Sequence, residues 1–269
     1  MNNKIFDCIT FFRENFITNL RFEILNRYID FFVVCESKYD HKNNKKNFNF
    51  ILKNKKYKKK IIYLKLEHPF ENSENLWSNQ AYQRDYLLLN LKANQDDLIM
   101  FSDPDEIPNP RLLKNLKLKK KYGIFMQKHF MYKFNIFADQ YTPWEGTRIC
   151  KYKDLNSIDY MRQKVLHKNL KKWWRPDKEK SIEIFYNGGW HFNNFLSPKE
   201  ISIKLKTFAH SEFADPKYSN IKIIKNKITN FEDLFGRNHL FRKIDKKKYK
   251  LFLPEYITKN QKLFKKFFV

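Results

Sequence analysis

An α/β fold with a central, mainly parallel sheet is the class this sequence predicts, on two observations. Short apolar runs alternate with helical patterns through the first half of the chain, and one of those runs ends abruptly in carboxylates and prolines. Lys4 to Thr10 reads as a first strand. Phe16 to Tyr28 follows as a helix with Leu20, Ile24 and Tyr28 on one stripe, and Phe31 to Cys35 is an apolar run suited to a buried strand. Lys60 to Leu64 is the third strand, Ser78 to Leu91 a helix capped by Ser78, and Leu98 to Phe101 the fourth strand.

That fourth strand runs into Ser102-Asp103-Pro104-Asp105-Glu106-Ile107-Pro108-Asn109-Pro110, where three prolines in seven residues forbid a regular element and Asn109-Pro110 can open a helix. Gly123 to Phe137 reads as extended. Ser197-Pro198-Lys199-Glu200 combines a capping box with proline at the first helical position, opening a helix to about Ala209. The lysine runs Lys55 to Lys60 and Lys243 to Lys250 read as solvated faces or loops.

Composition narrows the function classes. With 269 residues, 42% apolar and 17% aromatic, the chain can bury a large core, which argues against disorder although 31% of it is charged. The net charge of +25 has two open readings: a polyanionic partner, or AT-rich codons that favour Lys, Asn, Ile, Phe and Tyr together. Cys8, Cys35 and Cys150 are scattered and unpaired by spacing, so a disulfide framework or zinc site is not expected. No run of about 18 apolar residues occurs, and the first residues lack the pattern of a secretion signal. The expected location is cytoplasmic, with peripheral attachment at the inner face of a membrane as a further expectation.

Two stretches carry chemistry. In open α/β sheets ligands bind beyond the carboxyl ends of the strands, where Asp103, Asp105 and Glu106 fall. Carboxylates separated by one residue can reach a single hard cation, Mg²⁺ or Mn²⁺, although a polar turn capping the next helix would use the same residues. The second stretch, Tyr186-Asn187-Gly188-Gly189-Trp190-His191-Phe192, reads as a glycine-rich turn. Its His191 could bind a metal or move a proton, and its Trp190 offers a face for a sugar ring; a packed Trp and a hydrogen-bonded His is the alternative.

Together these segments resemble glycosyltransferase family 17, the family of the β-1,4-mannosyl-glycoprotein β-1,4-N-acetylglucosaminyltransferase. The resemblance is carried by Ile5-Phe6-Asp7-Cys8, Glu23-Ile24-Leu25-Asn26, the strand from Asp30 to Glu36-Ser37, Gln83-Arg84 and above all the run from Asp97 to Pro108. Trp144, Gly146-Thr147, Gly189-Trp190-His191 and Lys204-Leu205 add to it. It implies a GT-A fold in residues 1–253, with residues 254–269 left as a basic, aromatic helix or tail. It also implies an inverting reaction that moves a sugar, N-acetylglucosamine from UDP-N-acetylglucosamine, to a glycan or lipid-linked glycan hydroxyl.

By the same resemblance Asp103 and Asp105 take the metal, Mn²⁺ or Mg²⁺, with His191 as a third ligand or a base, and Asp103 also serves the donor diphosphate. Asp7, Glu36 and Arg84 would face the nucleotide, and Trp144 and Trp190 the acceptor. Inversion needs a general base on the acceptor side, for which His191, Glu106, Glu145 and Glu212 all qualify. No nucleic-acid partner is implied. Two rival classes remain: a basic, metal-dependent protein acting on nucleic acid, and a non-catalytic membrane-surface protein suggested by Leu263-Phe264-Lys265-Lys266-Phe267-Phe268.

Overall fold

A computed structural model describes residues 3–71, 75–89, 91–207 and 211–269. β1 (Ile5–Phe11), α1 (Asn15–Leu25) and β2 (Phe31–Ser37) form a first unit; β3 (Ile61–Leu66), α2 (Leu76–Leu89) and β4 (Leu98–Phe101) form a second. Their strands pair in parallel in the order β3-β2-β1-β4. β5 (Glu106–Pro108), α3 (Pro110–Leu113), β6 (Tyr122–Met131), β7 (Ile136–Phe137), β8 (Trp144–Lys151), α4 (Ile158–Gln163) and β9 (Ile182–Asn193) follow. β8 continues the sheet antiparallel to β4 and β6, while β9 runs parallel to β6 and antiparallel to β5, so ten strands among the described residues share one sheet. The chain closes with α5 (Pro198–Thr207), α6 (Pro216–Ser219), α7 (Ile221–Thr229), β10 (Arg242–Lys243), α8 (Tyr249–Phe252) and α9 (Glu255–Lys259).

Alternation along the strands sorts the core into two layers. Ile5, Ile9, Phe32, Val34, Leu98 and Met100 point to the α1 side, whereas Phe6, Cys8, Val33, Cys35, Ile99 and Phe101 point to the α2 and α4 side. Asp7 belongs by parity to the α1 face, an apolar position occupied by a charge. A third apolar cluster joins β6 and β7 to α5 and α7.

Several local expectations shift. The helix expected from Ser78 begins at Leu76, because the Asn75 side chain accepts from the backbone N–H groups of Trp77 and Ser78 at 3.1 Å each. Gly123 to Phe137 is broken between β6 and β7, with Tyr132 at φ 62°. The Ser197–Glu200 capping box forms as expected, and the end of its helix near Ala209 lies outside the described residues. Lys60 is not simply solvated, since its ammonium donates to Asn26 O and Ile29 O just beyond the end of α1.

Residues 254–269 pack onto the α1 face. Phe267 stacks on Phe16 with centroids 3.8 Å apart, Phe264 is buried, and the N–H of Phe134 donates to Phe267 O. The aromatic side chains read as a membrane motif are thus largely spent inside the fold. Among the described residues no helix is long and apolar enough to cross a membrane.

Candidate active site

The site is built around a buried cation. Arg21 of α1 is fully buried and grips Asp7 of β1 with both prongs, Nε to Oδ2 and Nη2 to Oδ1, each at 2.6 Å. The same guanidinium donates to Ser102 Oγ at 2.6 Å and to the carbonyl of Glu106 at 2.7 Å. Two charges out of water are tolerable only when each is paired and its remaining hydrogen-bonding capacity is met, as here. The result ties the turn after β4 to β1 and α1, so Asp103 and Asp105 stand on a rigid base.

A second arginine holds the turn from the other side. Arg162, on α4, donates to Asp103 Oδ2 at 2.9 Å and to Glu106 Oε1 and Oε2 at 2.7 and 3.1 Å. Its guanidinium is held even more firmly protonated than usual: burial opposes the charge, but Glu106 and Asp103 outweigh it. The helix that presents it starts at Ser157, whose Oγ accepts from the N–H of Tyr160 at 3.0 Å.

Asp105 turns the other way. It is buried, and its Oδ1 lies 3.5 Å from Nε2 of His191 on β9. Burial by itself would raise its pKa; His191 overrides that, with Lys204 and His129 adding to the same effect, and the carboxyl is held well below its ordinary range. Pairing of Glu106 with His191 across β5 and β9 fixes this approach. His191 packs between Trp144 and His129, with ring centroids 4.8 and 4.3 Å away, and its Nδ1 is buried without a hydrogen-bond partner.

These groups open on a cavity of about 500 Å³, wide enough for a nucleotide-sized ligand. Asp103, Asp105, His191 and Trp144 line it, together with the cationic side chains of Lys46, Arg84, Arg162 and Lys204. Glu14, Asp40, Asp103 and Asp105 line the same cleft, and each cation is paired: Lys46 with Glu36, Arg84 with Asp159, Arg162 with Asp103 and Glu106, and Lys204 with Glu14. The lining is therefore of mixed charge and can meet a metal ion and a diphosphate together.

The family model of glycosyltransferase family 17 matches residues 1–268. The chain belongs to this family. The family 17 chain therefore has the GT-A kind of α/β fold, and it is a glycosyltransferase. A search of curated proteins finds no match. Among solved structures it is similar to a 4-diphosphocytidyl-2C-methyl-D-erythritol synthase, at 12% identity over 70% of this chain and 90% of that one, with a TM-score of 0.36. It is also similar to the glucosyl-3-phosphoglycerate synthase of M. tuberculosis (10% identity, 75% and 76% covered, TM-score 0.39). A third is a glycosyltransferase involved in the glycosylation of the major capsid of PBCV-1 (10%, 68% and 81%, TM-score 0.31).

Within the family 17 fold the expected site residues separate. Asp103, Asp105, His191, Trp144 and Arg84 meet at the cavity. Asp7 and Glu36 lie beneath it instead. Asp7 is consumed by Arg21, and the fully buried Glu36 accepts from Lys46 Nζ, the N–H groups of Asn49 and Phe50, and Tyr63 O–H. Glu106 is likewise fully buried, and Arg162, the indole N–H of Trp144 at 2.7 Å and the N–H of Asp103 at 3.2 Å occupy its carboxylate, which is the environment of a brace.

Glu145 accepts from Arg148 Nη2 and from the N–H of His167, and Glu212 is exposed in a short turn at Ser211–Ala214; neither lines the cavity. Trp190 is turned away from the cavity, donating to Phe252 O at 2.7 Å and packing against the α1-side core. The expected glycine turn is in fact the middle of β9. A Cβ on Gly189 would fall 2.2 Å from Ile107 O and one on Gly188 would fall 2.6 Å from Met126 N, so these glycines let β9 squeeze between β5 and β6 and do not make room for a ligand.

Arg21, Arg162, His129 and Lys46 were not singled out by the sequence. Arg21 carried a usable signal, a charge on the apolar stripe of α1 facing another charge on the apolar face of β1.

The donor set suits a hard divalent ion held in part by substrate. Among the described residues no group of three His, Cys, Asp or Glu side chains is gathered for a metal. Asp105 Oδ1 and His191 Nε2 offer one oxygen and one nitrogen 3.5 Å apart, close to the roughly 3 Å that separates neighbouring ligands of a Mg²⁺-sized ion. Such ions are commonly held by one or two carboxylates plus substrate phosphates, so a donor diphosphate would complete the sphere.

Proposed function

We propose that this chain is an inverting, metal-dependent transferase that moves N-acetylglucosamine from UDP-N-acetylglucosamine to a glycan hydroxyl. The observation that carries the reading is the ionised Asp105 facing His191 at the edge of a cleft ringed by Lys46, Arg84, Arg162 and Lys204. In the reaction the acceptor oxygen attacks the anomeric carbon from the face opposite the UDP, the new C–O bond forms as the bond to the diphosphate breaks, and the hydroxyl proton passes to a base. Asp105 and His191 would hold the Mn²⁺ or Mg²⁺, which when bound would neutralise charge building on the departing diphosphate, while Asp103, whose carboxylate is held by Arg162, stays outside that pair.

The chain's own cations complement that role. Arg162, Arg84, Lys46 and Lys204, each paired with a carboxylate of the chain and so fixed in place, would offer their remaining N–H donors to the leaving group, where preorganised donors lower the barrier most. Trp144, braced through its indole N–H by Glu106, presents a ring beside His191 on which a sugar can lie. The rigid Asp7–Arg21–Ser102 knot keeps these groups from drifting between turnovers.

The test is a panel of UDP- and GDP-sugars offered to the purified chain with Mn²⁺ and no acceptor, reading release of nucleoside diphosphate. Preferential slow hydrolysis of UDP-N-acetylglucosamine is the expected result. Preference for another donor would redirect the sugar assignment, and no metal-stimulated hydrolysis of any donor would contradict the reading.

A further inference from the structure

Trp173 and Trp174 are 83% and 59% exposed, and Trp173 is the most exposed large apolar side chain among the described residues. Their rings meet edge to face at 6.1 Å. Leaving two indoles in water forgoes the gain of burying them, so a reason for the arrangement is called for.

The loop that carries them is built rather than loose. Successive turns close through Lys172 N to Asn169 O, Arg175 N to Lys172 O and Lys178 N to Arg175 O. Lys180 Nζ donates to both Asn169 O and Lys172 O, and Asn169 is buried with its side chain on Lys164 O. Arg175 and Asp177 pair with two prongs at 2.8 Å each.

The ground around the indoles is strongly basic. Lys168, Lys171 and Lys172 precede or adjoin them, and no carboxylate lies in salt-bridge reach of these three among the described residues. Lys119 and Lys121 are drawn beside the same loop by their backbone N–H groups, which donate to Glu183 Oε2 and Ser181 Oγ at 2.8 and 3.0 Å, and this brings exposed Lys120 with them. Amphipathic indoles prefer the boundary between lipid tails and headgroups, and each lysine near an anionic leaflet adds electrostatic attraction.

We infer that this loop is a docking surface for an anionic lipid membrane. The C-terminal aromatic segment is a poorer candidate, because Phe264 and Phe267 are committed to the core. The inference stands apart from the transfer reaction and from the identity of the donor.

The full chain should be sedimented with vesicles of phosphatidylcholine alone or mixed with phosphatidylglycerol. Binding is expected only to the mixed vesicles, with tryptophan emission shifted to the blue and quenched by brominated lipid. Trp173→Ala with Trp174→Ala leaves the net charge of +25 unchanged, yet should weaken partition at least about tenfold, the scale of burying one large apolar side chain. Lys171→Glu with Lys172→Glu should weaken it as well and reduce its dependence on salt. Donor hydrolysis and the melting temperature of these variants, compared with the parent, guard against misfolding. If the double tryptophan variant partitions like the parent, or the parent ignores anionic vesicles, the docking surface is overturned; should that variant fail to fold, partition of the Lys171→Glu with Lys172→Glu variant equal to that of the parent overturns it.

Discussion

Asp105 and His191 come from segments far apart in sequence, yet β5 and β9 bring a carboxylate oxygen and an imidazole nitrogen to 3.5 Å at the edge of a cation-lined cleft. The pairing of Glu106 with His191 and the bond from the Phe192 N–H to Asp105 O set that approach, and glycine at positions 188 and 189 lets β9 reach it.

His191→Ala should lower turnover at least about a hundredfold, the scale of a lost general base. The imidazole admits two roles, and they separate in further measurements. Loss of a ligand weakens Mn²⁺ affinity, whereas loss of a base spares it and flattens the pH–rate profile. Near-normal turnover in a folded His191→Ala chain would show that His191 is only packing.

Arg162→Lys keeps one positive charge but cannot reach Asp103 and both oxygens of Glu106 at once. Turnover should fall at least about tenfold, and stability by about 1–2 kcal/mol, as charge-assisted hydrogen bonds are lost. Urea unfolding with steady-state kinetics measures both, and unchanged values would mean that the two-pronged grip has no role.

Arg21→Met should destabilise the chain by about 3–5 kcal/mol, because it strands Asp7 in the core without a partner. The double change Asp7→Leu with Arg21→Met should recover much of that loss while failing to restore turnover, since Ser102 and the Glu106 carbonyl still lose their donor. A loss below about 1 kcal/mol in the single variant would contradict the account of the knot.

The three thiols should be silent in the native chain. Cys8, Cys35 and Cys150 are wholly buried; burial first and the neighbouring Glu36 second push Cys35 up to about 12 from its ordinary 9.0. The unfolded thiol ionises near 9.0 while the folded one keeps its proton, so the stability linked to Cys35 is intact below that pH and is lost as pH climbs toward about 12. A disulfide reagent at pH 8 should modify no thiol before unfolding and all three after it; rapid modification of the native chain would contradict the burial.

The parallel core was legible because strand parity and apolar runs act locally: β1, β2, β3 and β4 lie within a residue or two of where the apolar pattern puts them, whereas β5 forms across Glu106–Pro108, where the prolines were expected to forbid a regular element, because β9 supplies a pairing partner. Asp103, Asp105, Trp144, Arg84 and His191 were legible through the family resemblance, and the structure gathers them in one cleft. The roles of Asp7, Glu36, Glu106 and Trp190 were not legible, because which partner a charge or an indole finds is settled by long-range packing. Gly188-Gly189 looked like a turn since two glycines break a strand by propensity; crowding between β5 and β6 overrides propensity there.

The central claim rests on Asp105 as the carboxylate through which the cleft takes a divalent ion together with a nucleotide diphosphate. Titration calorimetry of UDP into the parent chain and into Asp105→Asn, each with and without Mn²⁺, tests it most directly. The account predicts that Mn²⁺ tightens UDP binding to the parent and has no such effect on Asp105→Asn, whose melting temperature stays near that of the parent. Equal Mn²⁺-dependent binding in a folded Asp105→Asn chain, or binding to the parent that ignores Mn²⁺, would contradict it.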